Sequence, residues 1–347
     1  MKKFKRHKDY GFFDQDIRLL KLSSLGDPLE RLNKGVDFEI FRDILESGLT
    51  KLAKGNGGRP PYDYVMMFKI MILQRYYNLS DEQVEYQIND RMSFMRFLDL
   101  TIADDVPDSR TVWKFREQLV DLELIELIFE LFLEKLENLG LIVNEGKIID
   151  ASFVEVPRQR NNKDENKKLK NNEIPEDWKN NPRKLSQKDI DAKWTKKNNQ
   201  TFFGYKNHVK TDSKSKIITK FKVTTANVHD SQLLDELLDN KDKGEDFYAD
   251  SAYTGKKQEK IISEKEVINK VHEKGYKNNL LTDEQKAKNK TKSKIRVRVE
   301  HIFGFMENSM NGMEIRCIGF KRAEGTIGLS NLVYNMFRKI QLQAINF

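Results

Sequence analysis

The chain has 347 residues, of which 38% are hydrophobic and 33% charged, and its formal net charge of +8 corresponds to a pI of about 9.1. Its single cysteine, Cys317, excludes a disulfide framework and a cysteine-built zinc site within one chain. No stretch approaches the roughly 20 apolar residues of a membrane span, and no apolar segment follows the basic N-terminus, so we expect a cytoplasmic protein. The positive charge favours an anionic partner, such as nucleic acid, an anionic membrane surface or an acidic protein.

Residues 1–140 predict an all-α N-terminal region. The glycines and prolines of 55–61 form a break, and a buried helix is predicted over 62–77 because apolar residues surround that segment on nearly all sides. Ser80 and Gln83 have the spacing of a capping box that opens the next helix. Short helices of this kind are compatible with a helix-turn-helix DNA reader, although a generic helical bundle is the more common explanation. Further helices are predicted over 92–98, 108–119 and 122–139.

Residues 141–347 predict a second domain of mixed α/β type. Three of its predicted strands follow one another directly, which indicates antiparallel pairing, whereas helices separate the later strands. This order predicts a ribonuclease-H-like fold, a mixed five-stranded sheet flanked by helices in which the first and fourth strands are neighbours. The strands are predicted over 147–156, 201–210, 217–225, 247–250 and 267–271. The helices are predicted over 230–238, 255–262, 295–310 and 327–342.

A basic insertion at about 158–200 follows the first predicted strand. It holds 13 Lys/Arg and 7 Asp/Glu, and this composition is too polar for a core, which predicts a long loop. Two tryptophans, Trp178 and Trp194, indicate that parts of the loop dock either on the domain or on nucleic-acid bases. Trp194 is therefore a candidate DNA contact.

Three acids form a candidate site. Asp150 interrupts the first strand, Asp250 ends the fourth strand, and Glu300 lies on the helix predicted near the C-terminus. A buried carboxylate is costly unless a metal ion, a cation or hydrogen bonds compensate it, and a single acid of this kind is most often a loop cap. Because the first and fourth strands are predicted neighbours, the set instead predicts a site for Mg²⁺, with Mn²⁺ as a substitute. Two such ions catalyse phosphoryl displacement by a water or a DNA 3′-hydroxyl.

Basic residues near these acids are candidate phosphate contacts. Lys206 and His208 share one face of the second strand by alternation, where they either hold phosphate or form an exposed hairpin face. Arg296 is spaced to pair with Glu300 or to contact a phosphate, and Arg298 is a further candidate cation.

Seven segments of the chain carry a family pattern. They are GRPPYDYVMMFKIMILQRYYNLSDEQVEYQINDRMSFMRFL, IIDASFVEVPRQRN, KLSQKDIDAKWT, FFGYKNHVKTD, TTANVHDSQ, YADSAYTG and RVRVEHIFGFM. With these segments the chain resembles the DDE transposases of bacterial insertion sequences, specifically the "IS five" group. The resemblance implies a ribonuclease-H-like catalytic domain with the triad Asp150, Asp250 and Glu300, Mg²⁺, and double-stranded DNA of transposon ends and target as substrate. It also implies homo-oligomeric assembly on DNA, nucleoid association, and binding of terminal inverted repeats by the helical region.

Two positions near Glu300 depart from the family signature, because Ser293 stands where the family has Tyr and Glu307 where it has Lys. A catalytically inactive, transposase-derived DNA-binding protein therefore stays open as an alternative. A second alternative is a metal phosphohydrolase built on His229-Asp230, for which the other histidines are poorly spaced.

Overall fold

A computed structural model describes residues 11–50, 60–197, 199–276 and 280–345, with side chains through 344. The glycine-rich part of the break predicted at 55–61 lies outside the described residues. No helix in these ranges is long and apolar enough to cross a bilayer.

The N-terminal region is helical, as predicted. The helix predicted over 62–77 is confirmed and begins after Asp63, whose carboxylate accepts a hydrogen bond from the Met66 N–H at 2.9 Å. The capping box of Ser80 and Gln83 is also present. The helices are α1 (Asp14–Ser24), α2 (Pro28–Gly35), α3 (Arg42–Thr50), α4 (Tyr64–Tyr77), α5 (Asp81–Asp90), α6 (Met92–Phe97), α7 (Ser109–Asp121) and α8 (Leu124–Asn138).

The second half of the described chain is built on a six-stranded mixed sheet, which confirms the predicted fold class. Central strand β1 pairs antiparallel with β3 and parallel with β5; β4 and β2 pair with β3, and β6 pairs with β5. The five predicted strands are all present, and β2 is the additional one. The strands are β1 (Lys147–Glu155), β2 (Lys193–Lys197), β3 (Gln200–Asp212), β4 (Ile218–Thr225), β5 (Asp246–Tyr248) and β6 (Ile268–Asn269).

Helices flank this sheet. Residues 283–296, a lysine-rich segment of the chain, form one of them. The single helix predicted over 295–310 is wrong in its bounds, because a 3-10 turn at Val297–Val299 separates two helices. The helices are α9 (Lys163–Lys170), α10 (Glu176–Lys179), α11 (Pro182–Leu185), α12 (Leu234–Leu237), α13 (Lys256–Glu264), α14 (Asp283–Arg296), α15 (Glu300–Asn308) and α16 (Phe320–Ile345).

The described part of the insertion at 158–200 contains three short helices and strand β2, so the prediction of a long loop is wrong. Trp178 is fully buried and its indole N–H donates to Glu165 at 2.8 Å, so one tryptophan forms a small core for three short helices. Asp189 is buried and accepts the Tyr205 hydroxyl on both carboxylate oxygens. Composition alone does not predict these helices, because one buried aromatic side chain and a few buried polar pairs stabilise the segment.

Helix α16 joins the helical region to the sheet. Its Phe337 ring stacks on Tyr76 of α4 with centroids 4.2 Å apart. On its other side the Asn331 amide exchanges hydrogen bonds with Asn207 of β3 at 2.7 and 3.1 Å, in a fully buried pair. One hydrophobic core therefore runs through both halves of the chain.

Candidate active site

The sheet register brings two of the predicted acids to the same level. Lys147 pairs with Phe247 and Ile148 with Tyr248 in parallel strands β1 and β5. Continuing this register by two residues places Asp150 opposite Asp250, two residues after the last residue of β5. The first and fourth predicted strands, β1 and β5, are therefore neighbours, as predicted. Their parallel pairing brings the two acids to the same level.

Arg296, the last residue of α14, lies between two of the acids. Its Nη1 donates to Asp150 Oδ2 at 2.7 Å, and its Nη2 lies 3.4 Å from Glu300 Oε1, so the predicted pairing with Glu300 is present. The 3-10 turn after α14 places Glu300 at the start of α15. One guanidinium therefore connects the strand acid to the helix acid.

The three carboxylates differ in their environments. Burial raises the pKa of Asp150 to about 6; the hydrogen bond from the Ala151 N–H and the charge of Arg296 oppose this rise, while Asp250 and Glu300 add to it. Asp250 accepts the N–H of Ala252 at 2.9 Å and so caps a short 3-10 turn. The Glu300 side chain is 53% exposed. Negative charge is therefore concentrated here, and burial makes the ionised form of Asp150 unfavourable.

The donor atoms of this site fit a hard divalent cation. Three carboxylates supply only oxygen ligands, which Mg²⁺ and Mn²⁺ prefer, and a cation would relieve the repulsion that Asp250 and Glu300 exert on Asp150. In the described parts of the chain, no group of three His, Cys, Asp or Glu side chains is already arranged as a metal cage. Arg296 occupies the position between Asp150 and Glu300 instead.

Residues beyond the predicted set surround the acids. The Tyr253 hydroxyl is buried without a hydrogen-bond partner among the described groups, and burial with the nearby charges of Asp150 and Asp250 keeps its pKa well above the ordinary value. His272 Nε2 lies 3.2 Å from the Ser293 hydroxyl. Tyr253 lies three residues after Asp250, within the segment YADSAYTG, and this proximity is its sequence signal, whereas His272 has no comparable signal.

Lys206 and His208 do not accompany Asp150. Asp150 pairs with Val209, whereas Ala151 pairs with His208, so alternation directs Lys206 and His208 to the opposite face of the sheet. The predicted placement beside the acids is therefore wrong, because it rested on strand alternation without the register. Their role in DNA binding stays a prediction.

Both residues are also buried. Lys206 Nζ donates to Asp230 Oδ1 at 2.7 Å and to the Val228 carbonyl at 2.6 Å. His208 Nε2 lies 2.8 Å from the Thr224 hydroxyl. These pairings hold the two basic side chains within the domain.

The remaining predicted contacts are more accessible. Trp194 of β2 is 42% exposed, its ring packs against Phe203, and the Arg158 guanidinium lies 5.7 Å from the ring centroid. Arg298 is half-buried and donates to the Ser213 carbonyl at 2.8 Å. Trp194 and Arg158 thus form an exposed aromatic and cationic pair on the insertion.

The His229-Asp230 pair serves local structure. His229 Nδ1 accepts the N–H of Ser231 and lies 2.9 Å from its hydroxyl, capping a 3-10 turn. Asp230 pairs with Lys206. The geometry favours the triad over this pair as the site of chemistry.

The ribonuclease-H-like sheet and its adjacent acids define a class of metal-dependent enzymes that cleave and transfer DNA strands. A family model described as "Transposase DDE domain" matches residues 143–336, and one described as "Transposase domain (DUF772)" matches residues 17–118. The first match spans more than half of the chain, and the chain belongs to the DDE transposase family. Enzymes of this family act on DNA and use divalent metal ions. No solved structure matches the chain.

Proposed function

We propose that this transposase is of insertion-sequence type, binds the terminal inverted repeats of its element and catalyses Mg²⁺-dependent strand cleavage and strand transfer at Asp150, Asp250 and Glu300. The observation that carries the proposal is the parallel register of β1 and β5, which sets Asp150 level with Asp250. The contact of Arg296 with both Asp150 and Glu300 adds the third acid.

The carboxylates of the triad would hold the metal ions. When bound, such ions activate the attacking oxygen and stabilise the leaving oxygen in phosphoryl displacement. The chain itself positions the ligands, since the N–H groups of Ala151 and Ala252 fix the carboxylates of Asp150 and Asp250. We assign Arg296 a positioning role, because its charge favours the ionised form of Asp150.

DNA binding is proposed for two surfaces. The helical region, matched by the second transposase domain model, would bind the repeats. Trp194 with Arg158 on the insertion would contact bases and phosphates, because an exposed ring beside a guanidinium suits stacking on unpaired bases. Arg298, two residues before Glu300 in the chain, would add positive charge near the triad. Lys206 and His208 stay predicted contacts, although neither surface includes them, since both are buried.

The test uses a labelled duplex that ends in the terminal repeat of the protein's own element, with Mg²⁺ or Mn²⁺. Asp250→Asn removes the charge but keeps an acceptor for the Ala252 N–H, and Asp235→Asn is the matched control on an exposed helix. We expect cleavage at the element end by the wild type and by the control. Asp250→Asn should lose about a thousandfold or more in rate, as for removal of several kcal/mol of transition-state stabilisation.

Either of two results would contradict the proposal. Cleavage by Asp250→Asn at the wild-type rate would remove Asp250 from the site. Specific binding without cleavage by the wild type would favour the inactive, DNA-binding alternative and direct attention to Ser293 and Glu307. A second assay offers a target duplex to an element end that carries a free 3′-hydroxyl. Joining of the two DNAs in this assay separates strand transfer from hydrolysis.

A further inference from the structure

A second site lies away from the triad, in a cavity between the helical region and the C-terminal part of the catalytic domain. The cavity measures about 200 Å³, and a single water needs only roughly 10–15 Å³, so it has room for a small ion with its waters. It is lined from one side by α4, α5 and α7 and from the other by the segment that precedes α16 and by α16 itself.

Arg75 of α4 is the distinctive residue of this cavity. It is 6% exposed, its Nη2 donates to the Gly312 carbonyl at 3.0 Å, and its buried Nε has no hydrogen-bond partner among the described groups. No carboxylate of the described residues forms an ion pair with it. Burial lowers its pKa to about 10, and the one titratable neighbour that acts on its charge is the Cys317 thiol. Burial raises the pKa of that thiol, so it is neutral at physiological pH.

The other charges of the cavity do not neutralise Arg75. Arg116 and Asp81 form their own bidentate pair at 2.5 and 3.0 Å. Glu82 is exposed at the rim, and Arg316 is exposed there without an ion pair in the described part of the chain. The cavity therefore has a buried and a rim guanidinium that form no ion pair with the described residues, against one exposed carboxylate, Glu82. A buried charge without compensation is strongly unfavourable, which points to an anion supplied from outside the chain.

We infer that this cavity binds one phosphoryl oxyanion, held by Arg75 from within and by Arg316 at the opening. A guanidinium donates parallel hydrogen bonds that match the oxygen spacing of phosphate, and Arg75 has an unpaired Nε–H beside the Nη2 that donates to Gly312. The anion would tie α4 to the Gly312 loop that follows α15, the helix of Glu300.

The phosphoryl group has two sources, a free phosphate ion or a phosphate of the DNA backbone. The experiment measures the melting temperature and the binding isotherm of the full-length protein with inorganic phosphate, against sodium chloride and acetate at matched ionic strength. Divalent metal is left out, so phosphate is not recruited to the triad. The variants are Arg75→Met and Arg316→Gln, and Arg110→Gln is the matched control on the exposed start of α7.

We expect one phosphate per chain and a melting temperature that rises with phosphate concentration in the wild type and in Arg110→Gln. Arg316→Gln should weaken phosphate binding roughly tenfold, and Arg75→Met should abolish it. In chloride, Arg75→Met should melt at or above the wild-type temperature, because the uncompensated buried charge is gone. Arg316→Gln changes an exposed residue, so it tests the site even if Arg75→Met does not fold.

Equal melting temperatures in phosphate and chloride, an equal effect of acetate, or a wild-type phosphate response in Arg316→Gln would each overturn the inference. DNA affinity then identifies the source of the phosphoryl group. Loss of DNA affinity in Arg316→Gln, together with competition by free phosphate, assigns the site to the DNA backbone. Unchanged DNA affinity assigns it to the free ion. Neither readout needs cleavage, so the outcome is independent of the triad.

Discussion

Two arginines, the partly buried Arg296 and the buried Arg75, lie in opposite electrostatic surroundings. Arg296 touches the carboxylates of Asp150 and Glu300, whereas Arg75 touches a backbone carbonyl and no carboxylate of the described residues. The Nε–H of each arginine has no acceptor among the described residues, so an unpaired donor does not by itself distinguish the two sites. The difference lies in the neighbouring charges. At the sheet edge acids are in excess and the protein supplies one cation; in the helical cavity cations are in excess.

The largest expected effect comes from removing Arg296, the cation beside the three acids. Arg296→Met leaves three acids without their internal cation, so the pKa of Asp150 should rise further above about 6, since Arg296 favours the ionised form. DNA cleavage should fall by roughly a thousandfold, about 4 kcal/mol, at neutral pH. The acid limb of the pH–rate profile should move to higher pH. The measurement is single-turnover cleavage from pH 6 to 9.

Arg296→Lys is the matched control, because it keeps the charge but loses the two-sided contact. It should fall between the wild type and Arg296→Met in rate and leave the acid limb near its wild-type position. A methionine variant with the wild-type rate and pH profile would show that Arg296 does not tune the site.

Asp189 offers a third case, a buried acid that forms no ion pair with a cation of the described residues. Asp189 is held by hydrogen bonds from the Tyr205 hydroxyl and from the N–H groups of Asp191, Ala192 and Gly319. Asp189→Ala leaves these buried donors unpaired, so we expect a loss of about 3–4 kcal/mol in unfolding free energy. Urea unfolding measures it, and limited proteolysis should show earlier cutting within 158–200.

Tyr205→Phe serves as the comparison for Asp189→Ala, because it removes one donor and keeps the ring. It should cost only about 1–2 kcal/mol. Similar losses for both variants would mean that the backbone donors find other acceptors and that Asp189 does not anchor the insertion.

The sequence predicts those parts of the molecule that depend on local pattern. Apolar runs and turns predict β1 and β3–β6, and the Ser80 capping box predicts the start of α5. The spacing of four residues predicts the pairing of Arg296 with Glu300, and this pairing persists across the 3-10 turn between their helices. Residues that meet only through tertiary packing are not predictable in this way: the insertion core around Trp178 and the burial of Arg75 depend on contacts between distant segments.

The same distinction explains the error at Lys206 and His208. Alternation correctly places them on one face of a strand, but which face holds Asp150 depends on a register between strands about 60 residues apart in sequence. A shift of one residue would have reversed the result. Tertiary register, rather than residue type, decides which basic residues accompany the acids.

An effect of intermediate size is expected for the pH dependence of stability, and it concerns His208, on the face of the sheet opposite Asp150. Burial lowers its pKa to about 4, below the ordinary value of about 6.5. Since the unfolded chain binds the proton more readily, stability is complete above about pH 6.5 and falls as the pH drops toward 4, by up to about 3 kcal/mol. His208→Gln should flatten this part of the curve, and the measurement is urea unfolding at a series of pH values.

His301 is exposed and provides the matched control for His208. His301→Gln should keep the wild-type loss of stability between pH 6.5 and 4. If His208→Gln retained the same slope as the wild type, the acid sensitivity would come from other groups, and the buried imidazole would be readily protonated in the folded state.

The smallest effect is expected for Glu307, because water screens the charge of an exposed side chain and so limits its influence on DNA affinity. Glu307 of α15 stands where the resemblance places a lysine, and it is exposed on the helix that begins at Glu300. Glu307→Lys should tighten binding to DNA by about three- to tenfold at low salt and steepen the salt dependence by roughly one to two phosphate contacts. Glu259→Lys on α13 makes the same charge change at another exposed position. If both variants tighten binding equally, net charge explains the gain; a gain confined to Glu307→Lys indicates that DNA passes along α15, beside the triad.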